Sequence, residues 1–182
     1  MSGVLVTYKG VRPRVAEGVF IAPTAMVIGD VEIGTDTNIW FGCVVRGDVN
    51  EIRIGARTNL QDGTVVHVSR RAFGTYIGSD VTIGHQALIH ACTLEDDCFI
   101  GMQATIMDGC VVEHGAMVAA GALVTPGKRV TRHQLWAGRP ARPVRELSAA
   151  DRESMAATTA HYVKLARDYL VAGCGVTGGT DD

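Results

Sequence analysis

Ile77-Gly78-Ser79-Asp80-Val81-Thr82-Ile83-Gly84-His85-Gln86-Ala87-Leu88-Ile89 returns an isoleucine at every sixth position. The same step runs through Ile21, Val27, Ile33, Ile39 and Val45, then Ile54, Leu60 and Val66. It resumes through Leu94, Ile100, Ile106, Val112, Val118, Val124 and Val130. Six residues is too long for the alternation of one strand and matches no stripe of a 3.6-residue helix. A short strand followed by a turn does fit, and hexapeptide periodicity is a mark of a β-helix. Three such units close a triangular coil in which each aliphatic side chain points to the axis and stacks on its equivalents above and below. Glycine follows several of the aliphatics, as in Ile33-Gly34, Ile54-Gly55 and Ile100-Gly101, where a corner needing positive φ is the expected reason. An ordinary β-sandwich would show turn signals at about 8–12 residues instead. The predicted fold class is therefore mainly β, a parallel β-helix of hexapeptide repeats; the periodicity itself does not reveal its hand.

Three breaks in phase carry as much information as the repeat. Val45 to Ile54 contains Arg46-Gly47-Asp48-Val49-Asn50-Glu51, Val66 to Ile77 contains His67 and Ser69-Arg70-Arg71-Ala72-Phe73-Gly74, and Ile89 to Leu94 is one residue short. Extra chain is expected to leave the coil at such places, and loops on rigid scaffolds commonly carry function. Beyond Val130 the pattern stops, and Trp136 to Pro143 reads as an irregular crossover punctuated by Gly138, Pro140 and Pro143. Ser148 then precedes Asp151 at capping-box spacing, predicting one helix to about Val171. Its less polar stripe is Met155, Thr159, Tyr162, Leu165, Ala166 and Tyr169, set to lie along the outside of the coil. The domain reading is a β-helix over residues 1–140, then the crossover, helix and a frayed, flexible tail over 141–182.

With 182 residues, 47% hydrophobic, 20% charged and a formal net charge of −2, the chain reads as a soluble single domain. There is no basic stripe that would call for nucleic acid, no apolar run of membrane-spanning length, and no export signal at the N-terminus. A cytoplasmic location is the expectation from those missing signals. Cys43, Cys92, Cys98, Cys110 and Cys174 form no CxxC pair and read mostly as small buried residues in a reducing compartment.

His67, His85 and His90 fall within about one and a third coils of each other by the six-residue count. Three imidazoles with an open position are an arrangement known for catalytic zinc. Isolated histidines on a β surface are more often satisfied by ordinary hydrogen bonds, and no HxH or HExxH signature marks these, so spacing alone leaves both readings open. His114, His133 and His161 read as structural.

The segments Arg46-Gly-Asp48, Asn59-Leu-Gln61-Asp62-Gly63, Val66-His67, Gly84-His85, Leu88-Ile-His90 and Ile100-Gly-Met102 resemble the γ-class carbonic anhydrase family, over nearly the whole chain. That resemblance implies a left-handed parallel β-helix with a C-terminal α-helix packed alongside, assembled as a homotrimer with metal sites between subunits. It implies His67 and His90 as metal ligands from one subunit and His85 from the next, with Zn2+ as the metal and Fe2+ or Co2+ as alternatives. Arg46, Asp48 and Asp62 match an interface network, Gln61 an orienting residue, and Tyr162 a residue approaching the same pocket, with Asn59 beside them as a further candidate. Asn59 also reads as a coil-corner asparagine that tolerates a turn conformation. The implied activity is reversible hydration of CO2 to bicarbonate through a metal-activated water. Active members of the family carry glutamates where this chain has Val49 and Ser69-Arg70-Arg71, and an asparagine where it has Lys164. Proton transfer is expected to be slow, or to use buffer or Glu51. Two other classes share the repeat: a hexapeptide acyltransferase or thioesterase acting on coenzyme A esters, and a catalytically weak metal-binding structural trimer.

Overall fold

In the computed structural model, which describes residues 4–177, the chain winds as a parallel β-solenoid followed by one helix, α1 (Ala149–Val171). Every aliphatic of the six-residue repeat is buried, none more than 5% exposed. They stack in three columns. Ile21, Ile39, Leu60, Ile83, Ile100 and Val118 align on one face. Val27, Val45, Val66, Ile89, Ile106 and Val124 align on the next, and Ile33, Ile54, Ile77, Leu94, Val112 and Val130 on the third. Strand pairs only two or three residues long hold because each backbone bonds to the coils on both sides while its inward residue joins the common column. The phase breaks are absorbed in that register. The step from Ile39 to Leu60 is twenty-one residues, from Leu60 to Ile83 twenty-three, and from Ile83 to Ile100 seventeen.

Outward positions give the faces different characters. On the first, Phe20, Asn38, Asn59 and Thr82 lie beneath α1, whose Met155, Thr159 and Ala166 are buried. Thr159 Oγ1 meets Thr82 Oγ1 at 3.0 Å, and Trp40 packs against Tyr162 and Tyr169 with centroids 5.4 and 5.2 Å apart. On the third face Arg53 meets Asp30, Glu32 and Glu51 at 2.9–3.1 Å. The second face is neither covered nor charged along its leading row, where Met26, Val44, Val65, Leu88, Thr105 and Leu123 align. Met26 and Val65 there are 39% and 37% exposed.

Several sequence expectations are corrected. The first phase break is not a loop leaving the coil. Val44–Ile54 is one continuous strand paired with Met26–Ile33, and a register shift after Gly29 accommodates Asp48, Val49 and Asn50 as a bulge. That bend needs Gly29 and Gly47, because a Cβ on either would lie 2.4 Å from a carbonyl oxygen of the facing coil. Gly34, Gly55 and Gly101 do not occupy positive-φ corners; a Cβ there would meet the backbone of the adjoining coil at 2.3–2.7 Å. The left-handed corner positions include Asp36, Arg57, Asp80, Gln86, Asp97 and Gln103. The crossover is regular too. Gln134–Gly138 continues the solenoid in parallel with Met117–Val118, then turns through the cis Arg139–Pro140 bond into an antiparallel hairpin with Ala141–Glu146. Past the helix the chain does not fray at Gly173: Val176–Thr177 pairs antiparallel with Phe20–Ile21. The rest of the expected tail, residues 178–182, lies outside the described residues.

Ser148 caps α1, its Oγ accepting from the Asp151 amide at 3.1 Å while its own amide donates to Asp151 Oδ2 at 2.7 Å. Among the described residues no helix is long and apolar enough to cross a membrane. Cys43, Cys92, Cys98 and Cys110 are buried, and burial pushes the Cys43 and Cys98 thiols up to about 12, so both stay protonated. Because Leu60 is fully buried at the middle of its column, Leu60→Ala is expected to cost about 2–5 kcal/mol. Denaturant unfolding followed by circular dichroism reads this as a lower midpoint with an unchanged slope.

Candidate metal centre

Two polar clusters flank the bare face, one on each of its edges. On the edge leading to the charged face, His67 ends Val65–His67 and His90 ends Leu88–His90, and the two residues pair directly between adjacent coils. His67 Nδ1 and His90 Nε2 are 3.3 Å apart. Their outer nitrogens are each held by a carboxylate: His67 Nε2 lies 3.1 Å from Asp48 Oδ1, and His90 Nδ1 lies 2.6 Å from Asp108 Oδ1. Asp48 reaches this edge because it sits in the strand bulge, and its Oδ2 accepts from Arg46 Nη1 at 2.6 Å. Burial acts to raise the Asp48 pKa, but hydrogen bonds from Arg46 and His67 outweigh it and hold the carboxyl below its ordinary value.

The donor set fits a divalent metal. Two nitrogens bound tetrahedrally at about 2.0–2.1 Å would stand roughly 3.3–3.4 Å apart, the separation found between the facing imidazole nitrogens. Carboxylates behind metal-ligating histidines fix tautomer and ring orientation, and Asp48 and Asp108 stand where such groups stand.

His85 lies elsewhere, on the edge between the helix-covered and bare faces. It occupies the turn after Ile83, with Nδ1 3.0 Å from Asp62 Oδ2, and Gln86 in that turn donates its amide to the Asp62 carbonyl at 2.9 Å. Gln61 precedes Asp62 and is 4% exposed. Its Nε2 donates to Asn59 Oδ1 at 3.1 Å, and Asn59 Nδ2 donates to Thr82 Oγ1 at 2.8 Å. Asn59 is thus a buried strand residue and not the coil-corner asparagine of the turn reading. Tyr162, on α1, packs edge-on to Trp40 with centroids 5.4 Å apart; burial first, and then the charge of Asp62, raise its pKa.

One chain therefore brings together His67, His90, Asp48 and Arg46 on one edge, and His85, Asp62, Gln61, Asn59 and Tyr162 on another. Among the described residues no three histidine, cysteine, aspartate or glutamate side chains of a single chain are set to hold an ion. Asp108 escaped the sequence reading: the coil there is seventeen residues, Ile89 aligning with Ile106, so Asp108 stands one residue past the position the repeat would match to His90. Glu51 is engaged on the charged face, accepting from Tyr76 Oη at 2.7 Å and from Arg53 Nη2 at 3.0 Å.

The family profile described as bacterial transferase hexapeptide (six repeats) matches residues 12–47 and 91–126. The carbonic anhydrase of Geobacillus kaustophilus is 41% identical over 162 residues, covering 89% of this chain and 88% of its own. The mitochondrial gamma carbonic anhydrase 2 of Arabidopsis thaliana is 48% identical over 160 residues, and this chain spans 58% of that relative's length. Among solved structures, a hexapeptide transferase family protein from Anaplasma phagocytophilum superposes with a TM-score of 0.88 at 47% identity, covering 91% of this chain and 98% of that one. Similarity of this extent, running through the segments that carry both polar clusters, settles the kinship: the chain belongs to the γ-class carbonic anhydrase family of hexapeptide-repeat proteins.

Proposed function

We propose that this protein is a carbonic anhydrase that interconverts CO2 and bicarbonate at a divalent metal shared between subunits of a homotrimer. The observation that carries the reading is the placement of His67 with His90 on one edge of an uncovered apolar face and His85 on the other. When that face meets a neighbouring copy, the two-histidine edge of one subunit approaches the His85 edge of the next. Such a contact joins unlike patches, so it is heterologous and closes only as a ring, and a three-sided coil suits a ring of three. Zn2+ fits the nitrogen ligands, as do Fe2+ and Co2+.

A metal bound there would supply Lewis acidity that brings the pKa of a coordinated water to about 7. The chain's own residues provide the rest. Asp48 and Asp108 hold the two imidazoles so that His67 Nδ1 and His90 Nε2 face a common point. Arg46 fixes Asp48 from behind. Gln61, its amide plane set by Asn59, orients the nucleophile or the substrate oxygen. Trp40 and Tyr162 give the His85 edge an apolar wall suited to CO2. Val49 and Ser69-Arg70-Arg71 leave the two-histidine edge without a local glutamate to carry protons. Turnover is accordingly expected to rise with buffer concentration.

The test is stopped-flow CO2 hydration by anaerobically purified protein reloaded with Zn2+, Fe2+ or Co2+, at two imidazole concentrations, with acetyl-coenzyme A hydrolysis assayed alongside. Metal-dependent, buffer-accelerated hydration is the expected result; no hydration with metal fully bound, or acyl-ester turnover in its place, would sink the reading. Asp108 gives a second expected result. Asp108→Asn keeps the side chain's shape but removes the charge behind His90, so metal affinity should fall about 10–100-fold with the fold intact. Competition against a chromogenic chelator measures it, and an unchanged affinity would remove Asp108 from the site.

A further inference from the structure

A cavity of about 420 Å3 lies between α1 and the edge joining the charged and helix-covered faces, and its lining includes none of the residues of the two polar clusters. That edge is a column of left-handed corner residues, Asp36, Arg57, Asp80, Asp97, Gly115 and His133. Lower in the column the side chains satisfy one another: Arg167 reaches Asp36 at 3.0 Å, and Arg57 grips Asp80 through two bonds of 2.8 and 2.6 Å. Gly115 interrupts the column, and the cavity opens beside that gap. Phe99, Met155, Ala156, Ala160 and Val163 give it apolar walls.

Its polar groups are unevenly satisfied. His133 Nδ1 is buried and lacks a hydrogen-bond partner, alone in this among the side-chain atoms of the described residues, and a Cβ on Gly115 would lie 2.8 Å from it. A buried polar atom left unpaired costs free energy that a ligand can recover. Arg152 uses Nη1 on the Leu147 carbonyl at 2.8 Å, and no salt bridge to it occurs among the described residues. Of the two lining carboxylates, Asp80 is paired with Arg57, and Asp97 faces His114 Nδ1 at 3.5 Å. The cavity therefore offers apolar walls with one guanidinium that has no salt-bridge partner among the described residues and one unpaired imidazole nitrogen. Its volume lies within the range of about 300–1,000 Å3 common for small-molecule sites.

We propose that this cavity binds a small apolar monocarboxylate, with Arg152 and His133 receiving the carboxylate and Phe99 and Met155 packing against its ring or chain. The site stands on one subunit's own residues and does not depend on the carbonic anhydrase reading.

Titration calorimetry with 2-naphthoate, and with the neutral 2-naphthamide as control, tests it. Naphthoate should bind one per chain and more tightly than the amide. Arg152→Gln should weaken naphthoate roughly tenfold or more while leaving the amide unchanged, since only the carboxylate draws a charge-assisted hydrogen bond from the guanidinium. Ala156→Trp and Ala160→Phe, both at exposed helix positions, should block both ligands by filling the cavity, with unchanged circular dichroism. Absence of binding at millimolar naphthoate, equal affinity for acid and amide, or binding that survives both filled variants would each overturn the proposal.

Discussion

Co-assembled in equal amounts, His85→Ala and His90→Ala subunits should regain about a quarter of the native metal sites, although neither variant holds a catalytic metal alone. The arithmetic follows from a heterologous ring. On the proposed reading each site takes His67 and His90 from one subunit and His85 from its neighbour. A native site forms only where a His85→Ala subunit donates the histidine pair and a His90→Ala subunit donates His85. At random mixing that ordered pairing occurs at about one interface in four. Coexpression with one affinity tag common to both variants, so that pure and mixed rings are recovered together, and metal analysis would measure it, with CO2 hydration as the parallel readout. The structure motivates the experiment because His67 and His90 pair across adjacent coils, while His85 bonds Asp62 on a different edge. Zero recovery would place all three ligands of each site in one subunit and end the shared-site reading.

The solenoid was legible because one physical requirement repeats: an aliphatic every sixth residue must reach the axis, and each of them does. Capping was equally local, with Ser148 and Asp151 bonding as their spacing predicts. What the sequence did not show depends on contacts between coils. Gly34 and Gly55 are glycine because the adjoining coil's backbone passes too close for a Cβ, a steric fact absent from the local chain. Asp48 reaches the site because three extra residues bulge within a continuous strand, where the broken period suggested a loop. Trp136 pairs with Val118 and keeps the coil going after the aliphatic pattern has stopped, since an indole fills the column's end as well as a valine. At the candidate site, chain spacing left the histidines' arrangement open, and only the resemblance implied that His67 and His90 would stand apart from His85. His67 and His90 are neighbours through register, whereas His85 bonds Asp62 on another edge, a separation that spacing along the chain did not show. Asp108 was hidden for a related reason, being remote in sequence and adjacent in the stack.

Leu88→Asp is expected to abolish the metal site without touching a ligand. Leu88 lies in the apolar row between Val65 and Thr105, two residues before His90 and on the face that would meet a neighbouring copy. A carboxylate there would be buried without a partner on assembly, at a cost of several kcal/mol per ion in practice, and a ring of three would carry three of them. The solenoid itself should tolerate the change, because the position points away from the axis and the column beneath, with Ile89 fully buried, is untouched. Light scattering should therefore show a smaller species with native-like circular dichroism. Co2+ bound at the histidine pair should lose its third imidazole, and its visible absorption should change accordingly. CO2 hydration should fall by about two orders of magnitude or more, comparable with loss of a ligand's supporting contacts. Thr93→Asp, on the charged face, supplies the control, since it adds the same charge where no neighbour is expected and should leave assembly and activity alone. A Leu88→Asp protein that becomes monomeric yet keeps full metal affinity and hydration would show that one subunit suffices. If it stays trimeric, the assembly must use another face, and the apolar row would need a different partner.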